Sequence, residues 1–211
     1  MAIVRVPDTY QNPDLAEAGL LAITAWSPIY DTYPGDHGRI GKRYIPLAFM
    51  FQRWDGRLGW FGGKVDPKDR AEPDTYPGEN LACKKAAVRE TLEEGGIDVE
   101  EDMIHQFLSH TTDLYLVRMF HWDLRATSVS NLREILRDAM RRPEMNFAEG
   151  CPVLVHLADY GHGRGWANLI NGNNLMPGVR EELITLRAHL YADAPAVANA
   201  QPLEIYPPGG L

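Results

Sequence analysis

Three glutamates, in the run Arg89-Glu90-Thr91-Leu92-Glu93-Glu94-Gly95-Gly96-Ile97, constrain this chain more than any other feature. The segment from Leu81 has helical spacing. Leu81, Val88 and Leu92 fall on one side, Asn80 suits the N-cap, and Gly95-Gly96 ends the run. Residues at i, i+3 and i+4 share a helix face with Cβ atoms about 5–6 Å apart, so Glu90, Glu93 and Glu94 repel one another. A divalent cation offsets that repulsion, and hard oxygen ligands suit Mg²⁺ or Mn²⁺. The rival reading is a solvated acidic face, which the helix macrodipole disfavours near a C-terminus. Spacing alone leaves both open. Gly62-Gly63, after a strand-like segment, adds a backbone that a carbonyl or a phosphate can approach closely. One metal can bind the carboxylates and a backbone carbonyl while bridging two phosphate oxygens. A pair about 3.5–4 Å apart can also activate water and neutralise the leaving group.

Around this run the 211 residues read as one domain over 1–192, followed by a proline-rich tail, 193–211. Residues 18–25 and 45–53 read as strands, with Pro28, Pro34, Gly35, Gly38 and Gly41 marking a long loop between them. Asp55-Gly56 signals a turn, and residues 66–80 are polar and read as loop. Strands at 105–108 and 114–122 form a hairpin. They are followed by a helix over roughly 131–142 capped by Ser130, a strand at 153–157, and a helix from about Pro177 to Tyr191. Strands first, a helix among them and helices later predict an α+β or α/β/α sandwich. No apolar run is long enough for a signal peptide or a membrane span, and Cys83 and Cys151 make no disulfide framework, so a reduced, cytoplasmic setting is expected. The net charge of −8 argues against a dominant basic nucleic-acid surface and suits a site where carboxylates gather metal.

Gly63, Asp69 and then Arg89 to Ile97 resemble the Nudix box, a glycine and a glutamate followed by R-E-U-x-E-E-x-G-U with U apolar. Thr91 stands in an apolar slot and Asp69 in place of the glutamate. The 19 residues from 70 to 88 replace the usual short spacer, an insertion placed at about 70–80. The resemblance implies a Nudix-type α/β/α sandwich with a mixed central sheet and a Mg²⁺- or Mn²⁺-dependent pyrophosphohydrolase. Gly62, through its carbonyl, Glu90, Glu93 and Glu94 would be metal ligands, and Arg89 would brace the loop on Asp69, Asp66 or Glu79. A narrower resemblance covers Arg53–Trp60, Gly62–Arg70, Ser109-His110, Glu149 and Asn173–Glu182. It points to the branch that decaps small nucleolar RNA and cleaves inosine diphosphate. Phe61 replaces that branch's proline, and Glu17–Ala22 offers no histidine to meet a purine, so inosine preference is not implied.

The reaction implied is attack of activated water on a diphosphate in a nucleoside diphosphate derivative or a nucleotide-capped RNA, with Glu93, Glu94 or Glu149 as general base. Gly63, Lys64, Trp60, His110 and Asn173 are candidate substrate contacts. Trp54, Trp60, Phe61 and Tyr30 can stack a base or fill the core, and Asn173 and Asn174 can touch substrate or cap a helix. Arg133, Arg137 and Arg141 read as a phosphate stripe or, beside Glu134 and Asp138, as a solvated face. The loop Gly161–Gly165 reads as mobile surface. Similar Nudix enzymes are often homodimers. A catalytically silent domain that binds nucleotide or a protein partner is the alternative from a different class.

Overall fold

The computed structural model describes residues 3–32, 40–126, 129–145, 148–158, 165–193 and 205–206. Strands β1 (Val4–Arg5), β2 (Ala16–Thr32), β3 (Ile40–Arg53), β4 (Leu58–Gly59) and β5 (Phe61–Lys64) precede helix α1 (Leu81–Gly95). Then come β6 (His105–Thr111), β7 (Tyr115–Ala126), α2 (Val129–Ala139), β8 (Gly150–His156), α3 (Gly165–Asn171), α4 (Val179–Asp193) and β9 (Ile205–Tyr206). β2 is the spine of a mixed sheet. It runs parallel to β7, antiparallel to β5 from Ala18 to Leu21, and antiparallel to β3 from Ile23 onward. β6 and β1 extend the sheet beyond β7, while β8, β4 and β9 pair with β3.

Alternation along the strands builds two apolar layers. Leu21, Ile23 and Ala25 join Leu47 and Phe49 beneath Cys83, Ala86 and Ala87 of α1 and Leu132 of α2. On the other face Ala18, Ala22 and Trp26 join Ala48 and Met50 beneath Trp166 of α3 and Leu183, Leu186 and Leu190 of α4. Each fully buried Leu or Phe in these layers contributes roughly 1.5–3 kcal/mol. The α/β/α sandwich with a mixed sheet is therefore the observed fold. Among the described residues no helix is long and apolar enough to cross a membrane.

The sheet is more extensive than the sequence suggests. Much of the loop predicted between the first two strands is an arm, in which β2 and β3 continue to the pair Thr32↔Ile40. Pro28 lies past the last β2–β7 pair, Trp26↔Ala126, so its missing N–H leaves no gap on that side. Pro34, Gly35 and Gly38 lie outside the described residues. So does most of the tail, although Ile205 and Tyr206 pair with Gly41 and Ile40. Helix α3 was not expected, and residues 161–164 of the predicted mobile loop fall outside the described residues. Ser130 lies within α2 instead of capping it, and Pro177 lies just before α4.

Helix α1 also differs in detail. Cys83, Ala86, Ala87, Thr91 and Gly95 form its buried face, whereas Leu81, Val88 and Leu92 are half-buried. Small side chains let this helix lie close on the sheet. Thr91 is accommodated in its apolar setting because its hydroxyl donates to the Ala87 carbonyl at 2.7 Å. Asn80 is not the side-chain cap. Asp74, from the insertion, accepts the Leu81 N–H at 2.7 Å and the Asn80 N–H at 3.1 Å. Asn80 instead takes a left-handed conformation and donates to Asp8, Gly78 and Gln106. At the other end Gly96, also left-handed, closes the helix by donating to Leu92.

Candidate active site

Helix α1 carries its acidic C-terminal turn against the Gly62-Gly63 step of β5. Gly62 has φ +133°, and a Cβ there would stand 2.2 Å from the Gly19 carbonyl oxygen, so only glycine lets β5 pair with β2 at this point. A Cβ on Gly63 would stand 2.9 Å from the Glu90 carboxyl. The glycines thus make room for sheet backbone and for a carboxylate. Glu94 completes the contact, its Oε2 accepting the Gly62 N–H at 3.0 Å.

Arg89 binds the loop to the helix. Its Nε and Nη2 donate to the two oxygens of Asp69 at 3.2 and 3.0 Å, and Nη2 also reaches the Lys64 carbonyl. Asp69 in turn accepts the Asp66 N–H at 2.8 Å across a 3₁₀ turn, Pro67–Arg70. Of the three acids open as partners, Asp69 is the buried one that engages Arg89 bidentately. Asp66 approaches at 3.7 Å, and Glu79 accepts the Thr75 N–H in the insertion. Burial opposes ionisation of Asp69, but the Arg89 and Asp66 hydrogen bonds outweigh it and hold the carboxyl below its usual range. Burial likewise disfavours the charged Arg89, and Asp69 and Glu90 outweigh that, raising its pKa.

The three glutamates divide their partners. Arg89 Nη1 lies between Glu90 at 2.6 Å and Glu93 at 3.1 Å. Glu93 is exposed and also meets Lys68 at 3.8 Å. Glu94 turns toward the glycines. Among the described residues no three Asp, Glu, His or Cys side chains converge on one point as a metal cage would. The donor chemistry nevertheless fits a hard cation. Burial pushes the Glu94 carboxyl up to about 8, and repulsion from Glu90 and Glu149 adds to it against the Gly62 N–H and Arg53. The Arg89 guanidinium already occupies a cation's place between Glu90 and Glu93.

Glu94 opens into a cavity of about 740 Å³, of a size that accepts a small ligand. Gly62, Gly63, Lys64, Arg53 and Glu149 line it near Glu94, and Trp60, Met176, Val179 and Glu182 line it along the α4 side. Leu114 and Tyr115 from the β6–β7 turn contribute exposed apolar surface, as does Trp54, which is 77% exposed. The Asn173–Glu182 segment reaches the cavity because Leu58 N–H donates to the Asn174 carbonyl and Met176 N–H to the Leu58 carbonyl.

Several predicted contacts sit elsewhere. His110 is fully buried behind Glu182, its Nε2 2.8 Å from Glu182 Oε1, and does not line the cavity. Ser109 points to the opposite face and donates to Asp8. Asn173 is exposed and outside the cavity lining, the backbone of its neighbour being what ties the segment to β4. Trp60 is in the wall but 95% buried and donates to Glu182 at 3.0 Å, so its ring is packed rather than open for stacking. Phe61 is core, and the Tyr30 side chain lies outside the described residues. Arg133 and Arg137 are exposed, and Arg141 meets Asp138 at 3.8 Å, as on a solvated face. Glu182 and the capping Asp74 carry no local sequence signal: Glu182 meets partners 72 and 122 positions away.

No protein-family model matches the sequence, and no curated protein matches it. Among solved structures, the pyrophosphohydrolase BsRppH of Bacillus subtilis superposes with a TM-score of 0.50 at 12% identity, over 92% of this chain and 90% of that one. A MutT/nudix family protein from Enterococcus faecalis aligns with a TM-score of 0.32 at 14% identity, over 54% of this chain and 38% of that one. The first similarity shows that the two chains share a fold.

Proposed function

We propose that the chain is a Nudix pyrophosphohydrolase that cleaves a diphosphate linkage in a nucleoside diphosphate derivative, alone or at the 5′ end of an RNA. The observation that carries this reading is the docking of Glu90 and Glu94 on the Gly62-Gly63 step at one end of a ligand-sized cavity. Glu90, Glu94 and the Gly62 carbonyl would hold Mg²⁺ or Mn²⁺, with Glu93 joining them by leaving Arg89. The metal would supply charge neutralisation for the diphosphate and activation of the attacking water. Arg89, held by Asp69, keeps the helix turn and the β5 loop in one register and screens the repulsion between Glu90 and Glu93. Lys64 and Arg53 offer positive charge to phosphate oxygens at the cavity edge. Glu149 and Glu94 are the carboxylates on the cavity that can take a proton from water, Glu94 once a cation has displaced its own.

The test is turnover of nucleoside di- and triphosphates, dinucleotides and capped RNA with Mg²⁺ or Mn²⁺, followed by phosphate and nucleotide analysis. Cleavage between phosphates is expected, with Glu93→Gln strongly impaired. Absence of turnover on the whole panel would leave a nucleotide-binding domain without catalysis. Unchanged turnover in Glu93→Gln would remove that residue from the metal set. A capped RNA should lose affinity steeply with salt and a small nucleotide only shallowly.

A further inference from the structure

The cavity holds a further carboxylate, at its α4 wall, that the diphosphate chemistry does not use. Glu182 is 4% exposed, yet it is one of the residues that line the cavity. Burying a carboxylate in an apolar layer is unfavourable unless donors surround it. Two are built in. Trp60 Nε1–H donates to Oε2 at 3.0 Å, and His110 Nε2 is 2.8 Å from Oε1. The His110 Nδ1 is buried without a hydrogen-bond partner. A neutral imidazole therefore places its proton on Nε2, where Glu182 accepts it, and leaves the acceptor nitrogen unpaired, the less costly arrangement. Both partners donate, so the two Glu182 oxygens serve as acceptors. A carboxylate has about four acceptor sites, and one bond to each oxygen leaves capacity for further donors.

Around it the wall is apolar, formed by Leu20, Val117, Met176 and Val179. A fixed anion there repels phosphate and selects a flat, N–H-bearing group. Resting on the nucleotide reading above, we infer that Glu182 is a specificity-determining residue that reads the donor edge of a purine base, with guanine preferred. Guanine presents N1–H and N2–H side by side, one for each carboxylate oxygen. Hypoxanthine presents N1–H alone. Adenine sets an N1 lone pair against the carboxylate. The base thus occupies the α4 end, and the phosphates run toward Lys64 and Glu94. Trp60 and His110 act through Glu182, fixing its rotamer.

The test is calorimetric binding of GMP, IMP and AMP to the full chain. Wild type should bind GMP at least about tenfold more tightly than IMP, the difference of one charge-assisted hydrogen bond, and AMP most weakly. In Glu182→Gln the guanine preference should shrink to about threefold or less, because the amide offers one acceptor beside one donor. The wild-type ranking decides the matter even if that variant does not fold. Equal binding of the three, AMP binding most tightly, or an undiminished preference in a folded Glu182→Gln would overturn the assignment and leave the hydrolase reading intact. Binding of none of them would overturn both.

Discussion

Replacing Asp69 with Ala removes the buried acid through which Arg89 ties the loop after β5 to α1. Three hydrogen bonds go with it: two from Arg89, at 3.2 and 3.0 Å, and one from the Asp66 N–H, at 2.8 Å. Removing one partner of a fully buried ion pair costs about 3–5 kcal/mol. Here the penalty is smaller, because Arg89 keeps Glu90, Glu93 and the Lys64 carbonyl, and because Asp66 is only half-buried. Two charge-assisted bonds to a residue that is itself 4% exposed then set the loss at about 2–3 kcal/mol. For a domain of this size that is a fall in Tm of about 5–10 °C. The sign of the pH dependence follows from the depressed Asp69 pKa. The contribution is present above the ordinary carboxylate range and is lost as pH falls through the native value. Wild type and Asp69→Ala should therefore differ at pH 7 and converge in acid, as read by thermal and urea unfolding. A loss under about 0.5 kcal/mol at pH 7, the size of an ordinary surface change, would refute the brace.

Further outcomes are expected. Gly63→Ala puts a methyl 2.9 Å from the Glu90 carboxyl, so Glu90 must swing away. Turnover should drop at least about tenfold while far-UV circular dichroism is unchanged, the signature of a displaced ligand rather than a lost fold. Asp74→Ala removes the acceptor for the first N–H groups of α1 and should cost about 1 kcal/mol, or about 2–4 °C in Tm. Because the Glu94 carboxyl is raised to about 8, cation-free protein carries its proton at neutral pH. Its contribution to stability is complete at acid pH, declines as pH rises through the ordinary carboxylate range, and is gone above about 8. Mg²⁺ binding at pH 7 should release a proton, measurable by calorimetry in buffers of different ionisation enthalpy, and the release should vanish well above pH 8.

What the sequence made legible is what depends on neighbours in the chain. Glu90, Glu93 and Glu94 share a helix turn, so their crowding follows from spacing, and the glycine at the helix end follows from backbone geometry. The partner of Arg89 was open among Asp69, Asp66 and Glu79 because it depends on a 3₁₀ turn, just before the insertion, that the period of a helix or a strand does not reach. The same insertion supplies Asp74, a cap seven positions before the helix it serves. The β2–β3 arm was hidden by its prolines and glycines, whose loop signal is overridden by long-range pairing between β2 and β3 beyond the last β2–β7 pair. His110 sits where the narrower resemblance drew attention, but burial in β6 turns it into support for Glu182. The cavity wall itself joins β2, β5, β7 and α4, and no local pattern announces such a meeting.

The central claim is that carboxylates docked on the Gly62-Gly63 step gather a cation for diphosphate cleavage. It is tested most directly by titrating Mg²⁺ into wild type and Glu94→Gln while following hydrolysis of a nucleoside diphosphate derivative. The account predicts saturable dependence on Mg²⁺ in wild type. In the variant it predicts a loss of at least about a hundredfold, with the fold kept because the glutamine carbonyl still accepts the Gly62 N–H. Hydrolysis that is independent of divalent cations, or equal in the two proteins at every Mg²⁺ concentration, would contradict it.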